Sequence, residues 1–429
     1  MNKLIPALFR SPAGRNIPGR LLWLLSLLLA ALPAGALDFG LVFQQDVKLS
    51  NEAGEGAFVY TPALIPWVSG PLGKQFNLYL SGRIGLEYTN FFDGGAGTGS
   101  GWRDPAVLPE ADRAELSWQV SPALSLTLGR QQLRDPAGLV AAGFFDGIGG
   151  VLSAGGSRFS GGVYYTGFLY KDTADIIMTG RDREEHGRPL SFEGDYFASR
   201  RLLAAFEWEK PDLSPRSSLV LGLLAQFDLN GEDEQFHSQY LSARYGVRLP
   251  RGFGLEGSGA LAVGENQRGD ALVFFAGALG LNWTLPGALD DRLSLGGIYS
   301  SPSQGKRLGP FVPVNSVPRG QVFSPAIGGI SALRGAYALR LRPTLMLEAE
   351  GSYFIRTDTV SFRDDQEPEH LKGEGYFLGG ELYGTVRWTP LPDLALVAGG
   401  GAFFPRLGNA FATDADVRWK GVAGIVLSF

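Results

Sequence analysis

Polar and apolar residues alternate one by one along most of this chain. Across residues 416–429, Val417, Trp419, Gly421, Ala423, Ile425, Leu427 and Phe429 share one parity, and Arg418 and Lys420 fall on the other. A strand turns successive side chains to opposite faces, so this segment has one face without charge and one that carries it. An exposed apolar strand at the end of a soluble chain would recruit other chains. The last strand of a membrane barrel closes against the first and faces lipid. The same period recurs elsewhere. Leu219, Leu221, Leu223, Ala225 and Phe227 share a face. Leu345, Leu347, Ala349, Gly351, Tyr353 and Ile355 lie opposite Glu348, Glu350, Ser352 and Arg356. Tyr376, Leu378, Leu382, Val386 and Trp388 lie opposite Glu381, Tyr383, Thr385 and Arg387.

From Asp38 onward these segments form a repeating unit of strand, short Pro/Gly turn, strand and longer polar loop. The short turns fall at residues 69–74, 121–123, 155–157, 210–217, 250–252, 285–291, 342–343 and 389–393. Longer loops include 171–195, 302–327, 357–373 and 405–415. The pattern predicts an all-β fold: a single transmembrane antiparallel β-barrel of about 18 strands, with short periplasmic turns and long extracellular loops. Two segments weaken the count, 57–68 because of Pro62 and Pro66, and 147–154 because its pattern is faint. Trp67, Trp118, Trp208, Trp283 and Trp388 each lie beside a short turn on the expected apolar parity, and Trp419 opens the last strand. Indole prefers the membrane–water boundary, so these six predict an aromatic girdle.

Mean hydropathy of +0.02 looks soluble. In a barrel, however, lipid-facing and lumen-facing residues cancel in the mean. Lys3, Arg10, Arg15 and Arg20 precede an apolar run over 21–32, and Ala34, Gly35 and Ala36 then offer small residues for cleavage. Residues 1–36 are therefore expected to be a cleaved secretory signal, and 37–429 one barrel in the outer membrane of a diderm bacterium. Without the basic signal the chain is more acidic than its formal charge of -5, which excludes nucleic acid as a partner. Outer-membrane lipid and lipopolysaccharide are the expected surroundings, and the terminal Phe429 is expected to be read by the barrel-assembly machinery.

No cysteine is present, which excludes disulfides and thiolate chemistry. Of the three histidines, His186 and His370 fall in long loops. His237 adjoins Ser238, and adjacent strand residues face opposite ways, so the two cannot form a nucleophile–base pair. No catalytic residue, cofactor or metal site is expected. The acidic run Asp364, Asp365, Glu367, Glu369 and His370 reads as a solvated external loop, with calcium bridging to lipopolysaccharide as the alternative.

The polar parity predicts pore-lining charges at Arg83, Arg113, Glu115, Arg130, Arg201, Arg244, Arg248, Arg334, Arg340, Glu348, Glu350, Glu381 and Arg387. Glu87, Glu207, Glu256, Arg418 and Lys420 also fall on this parity. Charges at membrane height must line water or pair with one another. A modest basic excess would favour anions; cross-strand pairing would only hold the interior together. Loop 302–327 is Pro-rich yet apolar, which predicts that it folds inward and narrows the pore, with Lys306, Arg307, Phe311 and Arg319 at the constriction. These features imply a channel for small polar solutes, anionic saccharides included. A plugged structural or adhesive barrel with ligand-binding acidic loops, and less so a lipid-modifying enzyme, remain as alternatives.

The segment from Arg113 to Gly147 resembles the alginate-export family of outer-membrane barrels. Arg113, Glu115 and Trp118 match an Arg–Glu–aromatic strand loosely. Gly129, Arg130, Gln131 and Leu133 match a Gly-Arg-Gln strand end well, and Phe145, Asp146 and Gly147 follow. The resemblance covers this segment alone. It implies an 18-stranded barrel that exports an anionic polysaccharide through an arginine-lined pore. This chain departs from the pattern by mixing Glu with Arg. Arg130 shares parity with Leu124, Leu126 and Leu128, so it lies either above the apolar band or on a bulge at Gly129 that turns it inward.

Overall fold

The period-two pattern closes into a barrel. The computed structural model describes residues 37–429, apart from 52–55, 93–100, 103–105, 189–194, 232–233, 267–269, 288, 305–306, 316–318, 360–361, 363–370 and 372–373. Its strands are β1 (Asp38–Ser50), β2 (Ala57–Leu72), β3 (Phe76–Phe91), β4 (Gly101–Trp102), β5 (Ala106–Ser121), β6 (Leu124–Arg134), β7 (Ala142–Ala154), β8 (Ser157–Tyr165), β9 (Arg201–Ser214), β10 (Ser217–Asp228), β11 (Phe236–Arg248), β12 (Phe253–Asn266), β13 (Ala271–Thr284), β14 (Arg292–Ser300), β15 (Ile330–Arg342), β16 (Leu345–Arg356), β17 (Phe377–Leu391), β18 (Leu394–Phe404) and β19 (Arg418–Ser428). β4 is a two-residue strand on the outer end of β3. The other eighteen pair antiparallel with their neighbours, and β19 returns to β1 from Val42↔Ser428 to Ser50↔Lys420. Phe429 completes the seam, its N–H donating to the Leu41 carbonyl at 2.9 Å. Closure leaves no strand with a free edge along its length, which a bilayer requires.

Alternation sets what each face meets. On β13, Val273, Phe275 and Leu279 point outward and are exposed, Leu279 by 61%, while Phe274 and Ala276 point inward and are buried. At the middle of the wall the exposed outward residues are apolar, among them Leu128, Ile148, Leu223, Leu241, Leu333 and Leu382, as a lipid-facing surface must be. Placing Arg at Leu279 would put a cation in hydrocarbon. The expected cost is about 2–4 kcal/mol, measured by reversible denaturant unfolding in vesicles. The same residue at Asn282, on the inward face, should cost far less.

Four of the girdle tryptophans face outward beside the short turns, two of them stacked: Trp118 on Phe76, with centroids 5.7 Å apart, and Trp283 on Phe253, at 5.0 Å. Trp67 is the exception. It pairs with Ser81, on the inward face it shares with buried Ala63, and its indole lies against Gly40. β2 carries no charge on either parity, so alternation alone could not orient it. Its prolines are accommodated on one side. The ladder to β1 runs unbroken, whereas the ladder to β3 skips 61–62 and 65–66, where a proline has no N–H to give.

The faint segment 147–154 belongs to a full strand, β7, paired on both sides. The turns expected at 210–217 and 389–393 are shorter, because β9 continues to Ser214 and β17 to Leu391. Leu378 also departs from its expected face. Gly379 has φ +136°, the register to β16 skips Leu378 between Phe377 and Gly379, and Leu378 turns into the interior, fully buried.

Candidate pore and its inward-folded loops

Among the described residues, three outer connections that fold back inside the wall are each held by a buried ionic or polar anchor, and Phe362, Ala410, Phe411 and Ala415 of two others join the interior packing. The first, between β6 and β7, turns at Asp135–Pro136, an Asx-type turn signal. The Asp135 carboxylate accepts the N–H groups of Val140 (2.8 Å) and Ala141 (2.9 Å).

The second, between β8 and β9, carries helices α1 (Lys171–Ala174) and α2 (Gly180–Gly187). Thr179 caps α2, accepting the Asp182 N–H at 3.1 Å, while the Asp182 carboxylate returns to the Thr179 N–H at 2.9 Å. That carboxylate also meets Arg201 at the start of β9, which in turn pairs with Asp228 at the end of β10. All three side chains are buried. Arg201, expected to line the pore, is a loop anchor instead, because α2 covers it.

The third, residues 301–329 between β14 and β15, crosses much of the interior. Val314 donates to the Val140 carbonyl at 2.7 Å, and Asn315 bridges both backbone groups of Ala142. Tyr240 donates to the Val312 carbonyl at 2.8 Å. Farther along, the Glu381 carboxylate accepts three successive N–H groups: Gln321 (2.7 Å), Val322 (2.9 Å) and Phe323 (2.7 Å). Phe323 stacks on Phe403 at 4.3 Å, and Arg418 lies over Phe323, Phe403 and Phe411. Lys420 donates to the Gln321 carbonyl at 2.9 Å. Phe311, Val314, Val322, Phe323 and Ile327 are all buried, and Phe311 packs against Phe274 and Tyr240. Glu381 and Phe311 are thus buried supports rather than open lining.

Arg319, from the same loop, faces a recess of about 290 Å³ that Glu256, Ser258 and Arg334 also line. Its Nε and Nη2 are buried without a hydrogen bond among the described residues. Burial lowers its pKa to about 10, which leaves it cationic at neutral pH. The Arg307 side chain is exposed and its carbonyl accepts the Val273 N–H at 2.8 Å; Lys306 lies outside the described residues.

The remaining expected charges spread along the wall. Arg113 makes a bidentate pair with Glu115, both bonds 2.7 Å, and lies over the Tyr79 ring at 4.6 Å. Arg83 sits opposite Glu110 on the neighbouring strand. Arg334 pairs with Glu350, and Arg340 with Asp290 at 3.4 Å. Arg340 and Glu348 share a recess of about 360 Å³ near a periplasmic turn. Arg248 rims another of about 290 Å³ with Asp212 and Glu256. Arg244 and Arg387 are exposed on the inward parity.

Arg130 is different. Gly129 has φ +111°, and a Cβ there would meet the Ala114 carbonyl at 2.0 Å. Beyond the pair Ala114↔Arg130, β5 bonds only to β3 and β6 only to β7, so the wall opens toward its outer end. The Arg130 guanidinium fills that opening. It pairs with Asp146 at 2.9 and 2.8 Å and donates to the carbonyls of Ala111 and Phe168. Tyr196 caps the Pro109 carbonyl just above. Arg130 is therefore a wall clasp rather than pore lining.

His186 and His237 stand apart, and the Asp228 N–H donates to Nδ1 of His237. The acidic run at Asp364, Asp365, Glu367, Glu369 and His370 lies outside the described residues. Asp135, Asp182 and Asp228 were not singled out by parity, because Asp135 and Asp228 lie at strand ends, where alternation stops, and Asp182 lies in the helix α2.

No protein-family model matches this chain, and no curated protein matches it. Solved structures do. The chain is similar to Pseudomonas aeruginosa OccK7 (OpdD), with TM-score 0.59 and 14% identity over 93% of this chain and 99% of that one. OccK5 (OpdH) of the same organism gives 0.59 and 9% identity over 92% and 98%. The outer membrane protein OprD of P. aeruginosa gives 0.56 and 13% identity over 92% and 93%. At this identity the likeness is one of fold: the chain is a porin-like, outer-membrane-type barrel.

Proposed function

We propose that the protein is an outer-membrane channel that passes small polar solutes by diffusion, with inward-folded loops setting the bore. The observation that carries this reading is the separation of faces. An apolar outer wall encloses an inner wall bearing Arg, Lys and Glu at membrane height, where only water or a partner makes charge tolerable. The likeness in fold to the outer membrane protein OprD supports it. Glu256 offsets Arg319 and Arg248, whose recesses it shares, while Arg244 and Arg387 add positive charge to the inner wall, which supports a modest preference for anions. Together with the resemblance of segment 113–147 to the alginate-export family, this supports a reading in which acidic saccharides are among the solutes. Outer-membrane lipid and lipopolysaccharide would surround the wall, and Phe429 would be the residue read during assembly.

The second reading is a plugged barrel with a structural or adhesive role. The close packing of three loops inside the wall favours it. Single-channel recording in planar bilayers separates the two. Steady current with an anion preference that falls on Arg244→Ala, Arg248→Ala and Arg340→Ala supports the channel; silence supports the plug.

A further inference from the structure

The loops do not fill the interior evenly. Two buried apolar clusters hold them, and their buried members come from β7 to β13 and from β15 to β18 together with the loops; among the described residues, β6 adds only the partly buried Leu133 at its outer end, and β1 to β5 contribute none. The packing has visible limits on both sides. On one side Lys420 of β19 holds the Gln321 carbonyl. On the other, Thr173 of α1 bonds to Glu110 at 3.1 Å, on the outer part of β5. Between these limits lie the inner faces of β1, β2, β3 and the periplasmic part of β5.

We infer that solutes pass along this arc, and that the Arg113–Glu115 pair is its selectivity element. The inference rests on the channel reading. β2 presents an uncharged inner strip, Val59, Ile65 and Trp67. Across β3 from it stands a bidentate ion pair, Arg113–Glu115. Arg113 is 41% exposed there and Glu115 11%. Neighbouring charges of opposite sign nearly cancel in the field a passing ion feels. Asp46 and Lys48 of β1 and Arg83 and Glu87 of β3 also face the arc with opposite signs, so it stays close to neutral while both partners of the Arg113–Glu115 pair remain. Removing either uncovers the other next to the solute path.

The absence of cysteine makes the path directly testable, since any introduced thiol is the only one in the chain. Gln44→Cys lies on the inner face of β1, within the arc. Ala262→Cys lies on the inner face of β12, buried beneath the loops. Both would be recorded in planar bilayers with charged methanethiosulfonate reagents. The expected result is a rapid fall in current for Gln44→Cys and none for Ala262→Cys. Rapid block at Ala262, or none at Gln44, would overturn the path. In the same recordings Glu115→Gln should raise the anion-to-cation permeability ratio at least twofold, and Arg113→Gln should lower it by a similar factor. Two unchanged ratios would overturn the selectivity element. Wild-type protein that passes no current would instead remove the channel reading itself, before either arm is run.

Discussion

Glu381→Ala is expected to widen the pore. The wild-type carboxylate is 2% exposed and accepts three consecutive backbone N–H groups from the loop between β14 and β15. Truncation leaves those three donors without an acceptor in a buried site, at a cost of about 1–3 kcal/mol each. The total is comparable with what the three ring pairs of Phe323 add beyond burial, at about 0.5–1.5 kcal/mol each, so the loop loses a large share of its hold on this side. The segment around Gly320 should leave the wall. Single-channel conductance should rise severalfold, and added protease should cut the loop in intact vesicles. Glu381→Gln keeps one carbonyl acceptor and should fall between the two. Deleting 309–322 should reproduce the high conductance without the mutation. Unchanged conductance and a protected loop in Glu381→Ala would show that the loop does not set the bore.

Why this anchor was legible as a charge but not as an anchor follows from what alternation reports. Period two assigns a face, and it placed Glu381 inward correctly by parity. It says nothing about what lies above that face. The wall was legible because each strand repeats the same two-sided environment over ten or more residues, as on β13. It failed where the environment is not two-sided. β2 has no charge to mark its wet side, so Trp67 was assigned to the girdle although it faces inward. The bulge at Leu378–Gly379, near the start of β17, resets the parity and turns Leu378 inward. Arg130 keeps the parity of Leu128, yet it meets neither lipid nor open lumen, because β5 and β6 part at that height. Burial by loops is a long-range fact: Asp182 reaches Arg201, and Asn315 reaches Ala142 across much of the chain. The apolar content of loop 302–327 was the one local sign that a connection belonged inside.

The largest loss of stability is expected at Arg201→Leu. In the folded protein this guanidinium is fully buried between Asp182 on α2 and Asp228 on β10. Leucine fills similar space but leaves two carboxylates facing each other away from water. Removing one side of a buried ionic cluster costs about 3–5 kcal/mol. The carboxylates also hold the cap of α2, so the whole connection between β8 and β9 should loosen. The measurement is the temperature at which the folded barrel converts to the slower-migrating unfolded band on a gel. The loss should have the sign of charge repulsion rather than of a cavity. Protonating the stranded carboxylates removes their repulsion, so the deficit relative to wild type should shrink as pH falls from neutral toward 4. Adding Asp182→Asn and Asp228→Asn to Arg201→Leu should recover part of it at neutral pH, since a neutral cluster of similar shape carries no uncompensated charge. A deficit that is independent of pH and untouched by the two amides would mean that Arg201 acts through packing alone. In that case the ionic cluster would have no part in holding the loop against the wall.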